Sequence, residues 1–390
     1  MLPVLRCVFN LGLRRGCVFG AAGCVVWYEC GMNGGQTNGF AGCGVWFSPP
    51  GDSFCDEVER VIDGRDDVRV DVFAGALGRR SARRLLEVTG GRLRVILNYG
   101  NVVLRASGGY SLESVCRELG ERVRYAKSHI KGAVFYRGGR VDSAFLTSAD
   151  VSRNKSWEQF ERVDGSALGG LFDWLFIESP GEYRETGSQS DLYAVRSRLL
   201  ATAGRFERFG LRVCGERGAL PFVSAVADTM RAARVWLSDF SLSLDSAGTL
   251  AGLVDSGRVA GLDLCLPPRF GRRKGSAAAY AFLMNRLVGR PGVNVHWVRT
   301  HCKFALIDGD AGCALISGTA GVTGDKELNA CVVRLGASPE FDRVQRFFVE
   351  LVNGESVLPP PPPPTEPDRD RFHSEVESDR DRFRFGQSDR

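Results

Sequence analysis

Two nine-residue stretches decide the fold: VRYAKSHIK at residues 123–131 and VHWVRTHCK at residues 295–303. Position by position, both read Val, a basic residue or His, an aromatic, a small residue or Val, a basic residue, Ser or Thr, His, any residue and Lys. The chain holds four His and six Lys among its 390 residues. A His-x-Lys pair that appears twice in matching contexts of such a chain indicates an internal repeat.

The repeat extends upstream of both stretches. Apolar residues at helical spacing occur in FCDEVERVI and FVSAVADTM, which begin at Phe54 and Phe222. Each helix is followed by two strand-like runs, at 68–75 and 92–98 in the first half and at 235–242 and 262–267 in the second. Strands that alternate with helices predict an α/β fold. We therefore expect two similar α/β/α sandwich lobes that form a pseudo-dimer, with each His-x-Lys pair on the last strand of its lobe.

The composition is that of a globular protein with two cores. The 51 basic and 46 acidic residues give a net charge of +5, and 44% of the residues are hydrophobic. These values exclude collagen, a wholly disordered chain and a multi-span membrane protein, and the charge is too low for a dedicated nucleic-acid binder. The 12 Cys contain no C-x-x-C pair. This spacing predicts no zinc site, so we expect buried, unpaired thiols.

The two ends of the chain differ from the body. Residues 1–30 have no acid before Glu29 and carry an apolar run at 17–28, which is shorter than the ~20 residues of a membrane span. This segment predicts either a membrane or mitochondrial leader or anchor, or a first strand of the body. At the other end, six prolines at 359–364 precede a charged tail that contains DRDRF twice. We expect the tail to be disordered and available to partners.

These patterns divide the chain into five parts: a leader or anchor with a Gly-rich connector at 1–48, a first lobe at 49–165, an inter-lobe segment at 166–214, a second lobe at 215–352, and a Pro-rich disordered tail at 353–390.

The His-x-Lys pairs suit phosphodiester chemistry. In a strand, residues i and i+2 face the same side, so His129 and Lys131 present an imidazole beside an ammonium, as do His301 and Lys303. One His can attack phosphorus and form a phosphohistidine, and the other can protonate the leaving oxygen. The two Lys can hold the non-bridging oxygens, so the expected reaction needs no metal and no cofactor.

The stretch HCKFALID at 301–308 matches the H-x-K-x4-D signature of the phospholipase D superfamily, and the doubled motif resembles its single-chain, two-lobed members. The resemblance covers about residues 49–352. It implies that both motifs form one active site in a monomer with an internal pseudo-two-fold axis. It also implies that His129 is the nucleophile and His301 the general acid, with Asp308 as a supporting carboxylate.

The sequence departs from the family pattern at several positions. Tyr136 replaces the motif Asp in the first half. The family's second strand ends in G-S-x-N; Ser148 and Thr319 fill the hydroxyl position here, where they are expected to bind phosphate, while Asp150 and Gly321 replace the Asn. The family orients the nucleophilic His with a carboxylate, and the candidates here are Glu158, Glu161 and Glu327. His296 and His373 are expected to lie outside the chemistry.

The sequence leaves the substrate open. We favour a phosphodiesterase that hydrolyses or transfers a phospholipid diester, since the apolar N-terminus could associate with a membrane. The alternative is a nuclease or a DNA- or RNA-end phosphodiesterase, because the chain is rich in Arg. A second alternative is a catalytically decayed, phosphate-binding interaction protein, because Tyr136 and the missing amides depart from the family pattern.

Overall fold

The computed structural model describes residues 15–20, 23–28, 44–99, 119–152, 154–181, 189–215, 217–268, 270, 276–322 and 327–354. Within these ranges, two seven-stranded mixed sheets carry helices on their faces. The predicted two-lobed α/β fold is therefore confirmed. The Pro-rich tail and most of the Gly-rich connector lie outside the described residues.

The first lobe consists of strands and helices in the order β3 (Val45–Ser48), α1 (Ser53–Ile62), β4 (Val68–Ala74), α2 (Arg79–Val88), β5 (Leu93–Asn98), β6 (Val123–Ala126), β7 (Gly132–Arg137), β8 (Arg140–Thr147), β9 (Glu158–Arg162) and α3 (Gly165–Glu178). Helix α4 (Gln189–Thr202) follows. The second lobe contains β10 (Leu211–Cys214), α5 (Leu220–Met230), β11 (Ala233–Ser238), α6 (Leu244–Asp255), β12 (Val259–Leu266), α7 (Ala277–Arg286), β13 (Val293–Trp297), β14 (Phe304–Gly309), β15 (Gly312–Gly318), β16 (Asn329–Leu335) and α8 (Pro339–Asn353).

The two sheets have the same topology. The strand order is β3-β9-β8-β7-β4-β5-β6 in the first lobe and β10-β16-β15-β14-β11-β12-β13 in the second. In each sheet, three parallel strands at one side continue into antiparallel strands at the other. The internal repeat read from the sequence is thus a repeat of the whole sheet.

Local sequence explains where the helices lie. Helix α1 buries Phe54, Val58 and Val61, which recur at helical spacing on one face. Helix α3 begins where the Asp164 side chain accepts a hydrogen bond from the third residue of the helix, at 2.6 Å. Helix α8 begins in the same way at Ser338. These side-chain caps satisfy backbone N–H groups that have no partner within the helix.

The His-x-Lys segments do not lie within strands, in contrast to the prediction. Residues 127–131 connect β6 at the edge of the first sheet to β7 near its centre, and residues 298–303 connect β13 to β14. Because β7 pairs with β4, the connection must pass the carboxyl ends of β5 and β4. The strand order therefore places the His and Lys at the carboxyl ends of the parallel strands, which we call the top edge of each sheet.

The lobes are joined by contacts between strands and between a strand and a helix. The Glu161 carboxylate on β9 forms an ion pair with Arg334 on β16 and accepts a hydrogen bond from Ser317 on β15. Phe47 on β3 stacks on Phe347 of α8, with ring centroids 3.6 Å apart. Both contacts cross from one lobe to the other, so the interface is part of the protein core.

Both sheets begin before the predicted start of their lobe. The first sheet begins with β3, four residues before position 49, and the second with β10, four residues before position 215.

Residues 15–20 and 23–28 form a separate antiparallel hairpin, β1 (Arg15–Gly20) and β2 (Gly23–Tyr28), which pairs with neither large sheet. Among the described residues, no helix has the length and apolar character needed to cross a membrane.

Candidate functional site

The site lies at the top edges of the two sheets, where the His-x-Lys segments meet the other lobe. The backbone N–H of His129 donates to the carbonyl oxygen of Leu328, which precedes β16, at 2.6 Å. The backbone N–H of His301 donates to the carbonyl oxygen of Trp157, which precedes β9, at 3.0 Å. These two bonds are related by the repeat. Each His is therefore held by the lobe that does not contain it.

In the first lobe, Lys131 is fully buried and its ammonium has two partners. Its Nζ donates to the carbonyl oxygen of Ser148 at 3.0 Å and lies 3.2 Å from Oδ1 of Asp150. Burial raises the pKa of Asp150, but the charges of Lys131, His301 and His129 outweigh it and leave this pKa below the usual value. Asp150 thus lies within the electrostatic reach of groups from both motifs.

In the second lobe, Lys303 is also buried and donates from Nζ to the carbonyl oxygen of Thr319 at 2.9 Å. Here the neighbouring carboxylate belongs to Asp239, which follows β11. Burial raises the pKa of Asp239, and the charge of Lys303 and three backbone N–H donors oppose this rise. Each lysine therefore has a carbonyl oxygen and a carboxylate nearby.

The hydroxyl groups of Ser148 and Thr319 are already used within the fold. Each accepts a hydrogen bond from the backbone N–H of the second residue of the following strand, at 2.8 and 2.9 Å. The Ser148 hydroxyl donates to Glu158 at 2.6 Å, and the Thr319 hydroxyl donates to a backbone carbonyl at 3.0 Å. Both side chains fix the strand that reaches toward the other lobe, which differs from the predicted role in binding phosphate.

Glu158 orients His301 across the interface. Its two carboxylate oxygens lie 3.0 and 3.1 Å from Nδ1 of His301. Burial lowers the pKa of His301 below its usual value, and Glu158 opposes this effect. The ring of Phe240 contacts the imidazole edge-on, with centroids 4.5 Å apart. Since Nδ1 faces the carboxylate, Nε2 is the nitrogen available for chemistry.

The position equivalent to Glu158 in the second lobe is not acidic. Glu158 is the first residue of β9, and the first residue of β16 is the buried Asn329. The segment before β16 holds His129 just as the segment before β9 holds His301. The two histidines therefore differ in the residue that the opposite lobe provides: a carboxylate for His301 and an amide at the corresponding position for His129.

Comparison with solved structures identifies the fold. Phosphatidylserine synthase from Haemophilus influenzae Rd KW20 is similar over 87% of this chain and 94% of its own, with 11% identity and a TM-score of 0.53. The chain has the phospholipase D fold. Polyphosphate kinase from Porphyromonas gingivalis matches 78% of this chain with 12% identity and a TM-score of 0.45; the chain spans about half the length of that kinase. No family model and no curated protein matches the sequence.

The motif Asp of the phospholipase D fold lies far from the chemistry in this chain. Asp308 is exposed and stands near the far end of β14, in register with Arg234. Tyr136 holds the equivalent position on β7, in register with Arg69, whose guanidinium lies 3.9 Å from the Tyr136 ring centroid. The structure therefore does not bring Asp308 to Lys303, because the length of β14 separates the two residues. Tyr136 lies equally far along β7 from Lys131. Its replacement of the motif Asp therefore removes no carboxylate from the site.

Replacing Asp308 by Asn should leave the site unaffected. We expect turnover of a diester to change by less than about twofold and the free energy of unfolding by less than about 0.5 kcal/mol, as for an ordinary surface substitution. Steady-state kinetics and urea unfolding check this expectation. A loss of turnover comparable to that of a Lys303→Met variant would contradict it.

The other acidic candidates make contacts between the lobes. Glu161 is buried between the lobes, where it forms an ion pair with Arg334. Glu327 accepts a hydrogen bond from the side-chain amide of Asn98 at 2.7 Å, a further bond between the lobes. His296 lies 3.5 Å from Asp263 on the sheet edge. His373 lies outside the described residues. Of the three predicted orienting residues, Glu158 contacts a motif His, His301.

Sequence reasoning missed Asp239, Phe240 and Asn329. The first two directly follow β11, and a register alignment of the two halves could have identified them. Asn329 could have been found by counting ten residues from Thr319, the distance from Ser148 to Glu158. Among the residues that the structure describes, no group of three or more His, Cys, Asp or Glu could hold a metal ion.

Proposed function

We propose that this protein catalyses phosphodiester cleavage or phosphoryl transfer with His301 as the nucleophile. The observation that supports the proposal is the contact of Glu158 with Nδ1 of His301. A carboxylate on Nδ1 fixes the tautomer, increases the basicity of Nε2 and stabilises the positive charge that forms on the ring. Because the equivalent residue in the other lobe is Asn329, we exchange the roles that the family resemblance implied.

The reaction proceeds in two balanced steps. Nε2 of His301 attacks phosphorus, the bond from phosphorus to the leaving oxygen breaks, and protonated His129 gives its proton to that oxygen. Water then attacks the phosphohistidine while His129 takes up a proton, and the P–N bond breaks to regenerate His301. An alcohol in place of water gives transfer. Lys131 and Lys303 each direct one N–H toward a non-bridging oxygen.

A phospholipid diester is the first substrate to test. The structure that shares this fold over 94% of its own length is named a phosphatidylserine synthase. The second candidate is a nucleic acid, because 45 of the 51 basic residues are Arg and this side chain matches phosphate geometry.

One experiment tests the proposed function. The full chain is incubated in EDTA with labelled phosphatidylcholine or cardiolipin vesicles, and separately with labelled single-stranded DNA and RNA. We expect release of one product and an acid-labile phosphoryl adduct on His301, identified by mass spectrometry of the quenched reaction. Turnover of DNA or RNA but not lipid would select the second candidate. Absence of both turnover and adduct with every substrate would support a decayed binding protein instead.

The protonation of His301 provides a pH test. Because burial lowers its pKa below the ordinary 6.5, the imidazole should be neutral, as a nucleophile must be, at pH 6.5 and above. Since the unfolded chain takes up this proton at a higher pH than the folded one, acidification below 6.5 should reduce the free energy of unfolding. Histidine side-chain NMR resolves the titration, because the chain has four His.

The matched variant is Glu158→Gln. Loss of the carboxylate should lower the pKa of His301 further and reduce kcat by about 10- to 100-fold. A rise of this pKa in the variant would contradict the assigned role of Glu158.

A further inference from the structure

A carboxylate accompanies each motif lysine, but the two carboxylates come from different strands. In the first lobe, Asp150 follows β8 and lies 3.2 Å from Nζ of Lys131. The equivalent position in the second lobe is Gly321, which follows β15. A Cβ atom on Gly321 would lie 2.4 Å from both carboxylate oxygens of Asp239. The Asp239 carboxylate therefore occupies the volume in which a side chain at position 321 would lie.

The strand register defines the origin of Asp239. The residue that directly follows each motif lysine begins the next strand, and its partner on the neighbouring strand is Phe73 in the first lobe and Ser238 in the second. The next residues along these strands are therefore equivalent: Ala74 in the first lobe and Asp239 in the second. At the two positions, the first lobe has Ala74 and Asp150, and the second lobe has Asp239 and Gly321.

Both oxygens of the Asp239 side chain accept hydrogen bonds. Its Oδ1 accepts hydrogen bonds from the backbone N–H groups of Phe240 at 2.6 Å and Ser241 at 3.4 Å, and its Oδ2 accepts one from Val322 at 2.6 Å. A protonated acid would have to donate from one of these oxygens. Acceptance by both oxygens fits the ionised form, fixed next to residue 321.

We propose that Asp239 is a positioning residue for Lys303, and that Asp239 with Gly321 replaces the function that Asp150 with Ala74 has in the first lobe. An ammonium group has three N–H donors. A backbone carbonyl oxygen takes one of them in each lobe. In this proposal the carboxylate takes a second, as the 3.2 Å ion pair of Lys131 with Asp150 suggests, so that the third is directed into the site. The inference rests on the proposed function only in that this third N–H contacts the phosphate.

The test is a variant that copies the first lobe into the second. Asp239→Ala with Gly321→Asp moves the carboxylate to the strand that carries it in the first lobe. We expect Asp239→Ala alone to lower kcat/KM for bis(4-nitrophenyl) phosphate by about tenfold or more, since Lys303 loses its carboxylate partner. Gly321→Asp alone should be at least as impaired, because its side chain meets Asp239. The double variant should return to within about threefold of the parent.

A second measurement separates this inference from the proposed function. Nitrogen NMR of the six lysine side chains reports the pKa of the Lys303 ammonium without any substrate. This pKa should fall in Asp239→Ala and in the isosteric Asp239→Asn, and it should recover in the double variant. If the pKa of Lys303 recovers in the double variant but neither the parent nor any variant turns over substrate, the proposed function is refuted and the positioning role of Asp239 stands. A parent-like pKa of Lys303 in Asp239→Asn, or a double variant no better than Asp239→Ala in pKa and turnover, would overturn the inference.

Discussion

A His301→Ala variant should lose turnover of a small diester by about 10⁴-fold or more and should form no phosphoryl adduct. In the proposed reaction, the imidazole that Glu158 orients is the group that bonds to phosphorus, so the later steps cannot proceed without it. Rapid quench with bis(4-nitrophenyl) phosphate, followed by intact-protein mass spectrometry, measures both quantities. The variant should remain folded, because the backbone bond from residue 301 to Trp157 does not use the side chain.

Two controls define the expected difference between the histidines. A His129→Ala variant should still form the adduct with a 4-nitrophenyl diester, because a good leaving group needs little protonation, while turnover falls by about 10²-fold. His296→Ala removes an imidazole that contacts Asp263 on the sheet edge, and turnover should change little. An adduct that forms on His129 and persists in His301→Ala would reverse the assignment of roles.

Replacing Glu161 by Leu should destabilise the protein by about 3–5 kcal/mol. The carboxylate is fully buried and Arg334 is 24% exposed, so the substitution leaves a largely buried guanidinium without its acidic partner. It also removes the acceptor of the Ser317 hydroxyl. Urea unfolding followed by fluorescence measures the loss as a lower midpoint.

A double variant tests the cause. Glu161→Leu with Arg334→Met removes both charges and should recover at least half of the lost free energy, because no unpaired buried charge remains. The surface pair of Glu178 and Arg198 is the matched control; its side chains are 35% and 58% exposed, and Glu178→Gln should cost about 1 kcal/mol or less. Equal losses for the buried and the exposed pair would show that Glu161 does not hold the lobes together.

The sequence was sufficient to predict the two-lobed fold, and it named the His and Lys residues that the structure places at the top edges of the two sheets. The doubled His-x-Lys pair and the repeated order of helices and strands predicted two equivalent lobes. Ser148, Thr319 and Glu158 were identified because each lies at a fixed distance along the chain from its motif.

The missed features depend on pairing between distant strands. That Asp308 lies far from Lys303 follows from the length of β14, and the role of Asp239 follows from strand register. The contact of Glu158 with His301 rather than with His129 of its own lobe depends on how the lobes pack. This last contact is contained in no local pattern of the sequence.

The two backbone hydrogen bonds by which each lobe holds the His of the other lobe have a consequence for how the protein folds during its synthesis. The backbone of His129 is held only once Leu328 is in place, and Leu328 lies near the end of the second lobe. During synthesis from the N-terminus, the first lobe can complete its own sheet long before this bond exists. A partly synthesised or truncated chain that lacks Leu328 therefore carries His129 without this backbone bond. Under the proposed function, catalysis would begin only when β16 has joined the second sheet, so activity would report that both lobes are assembled.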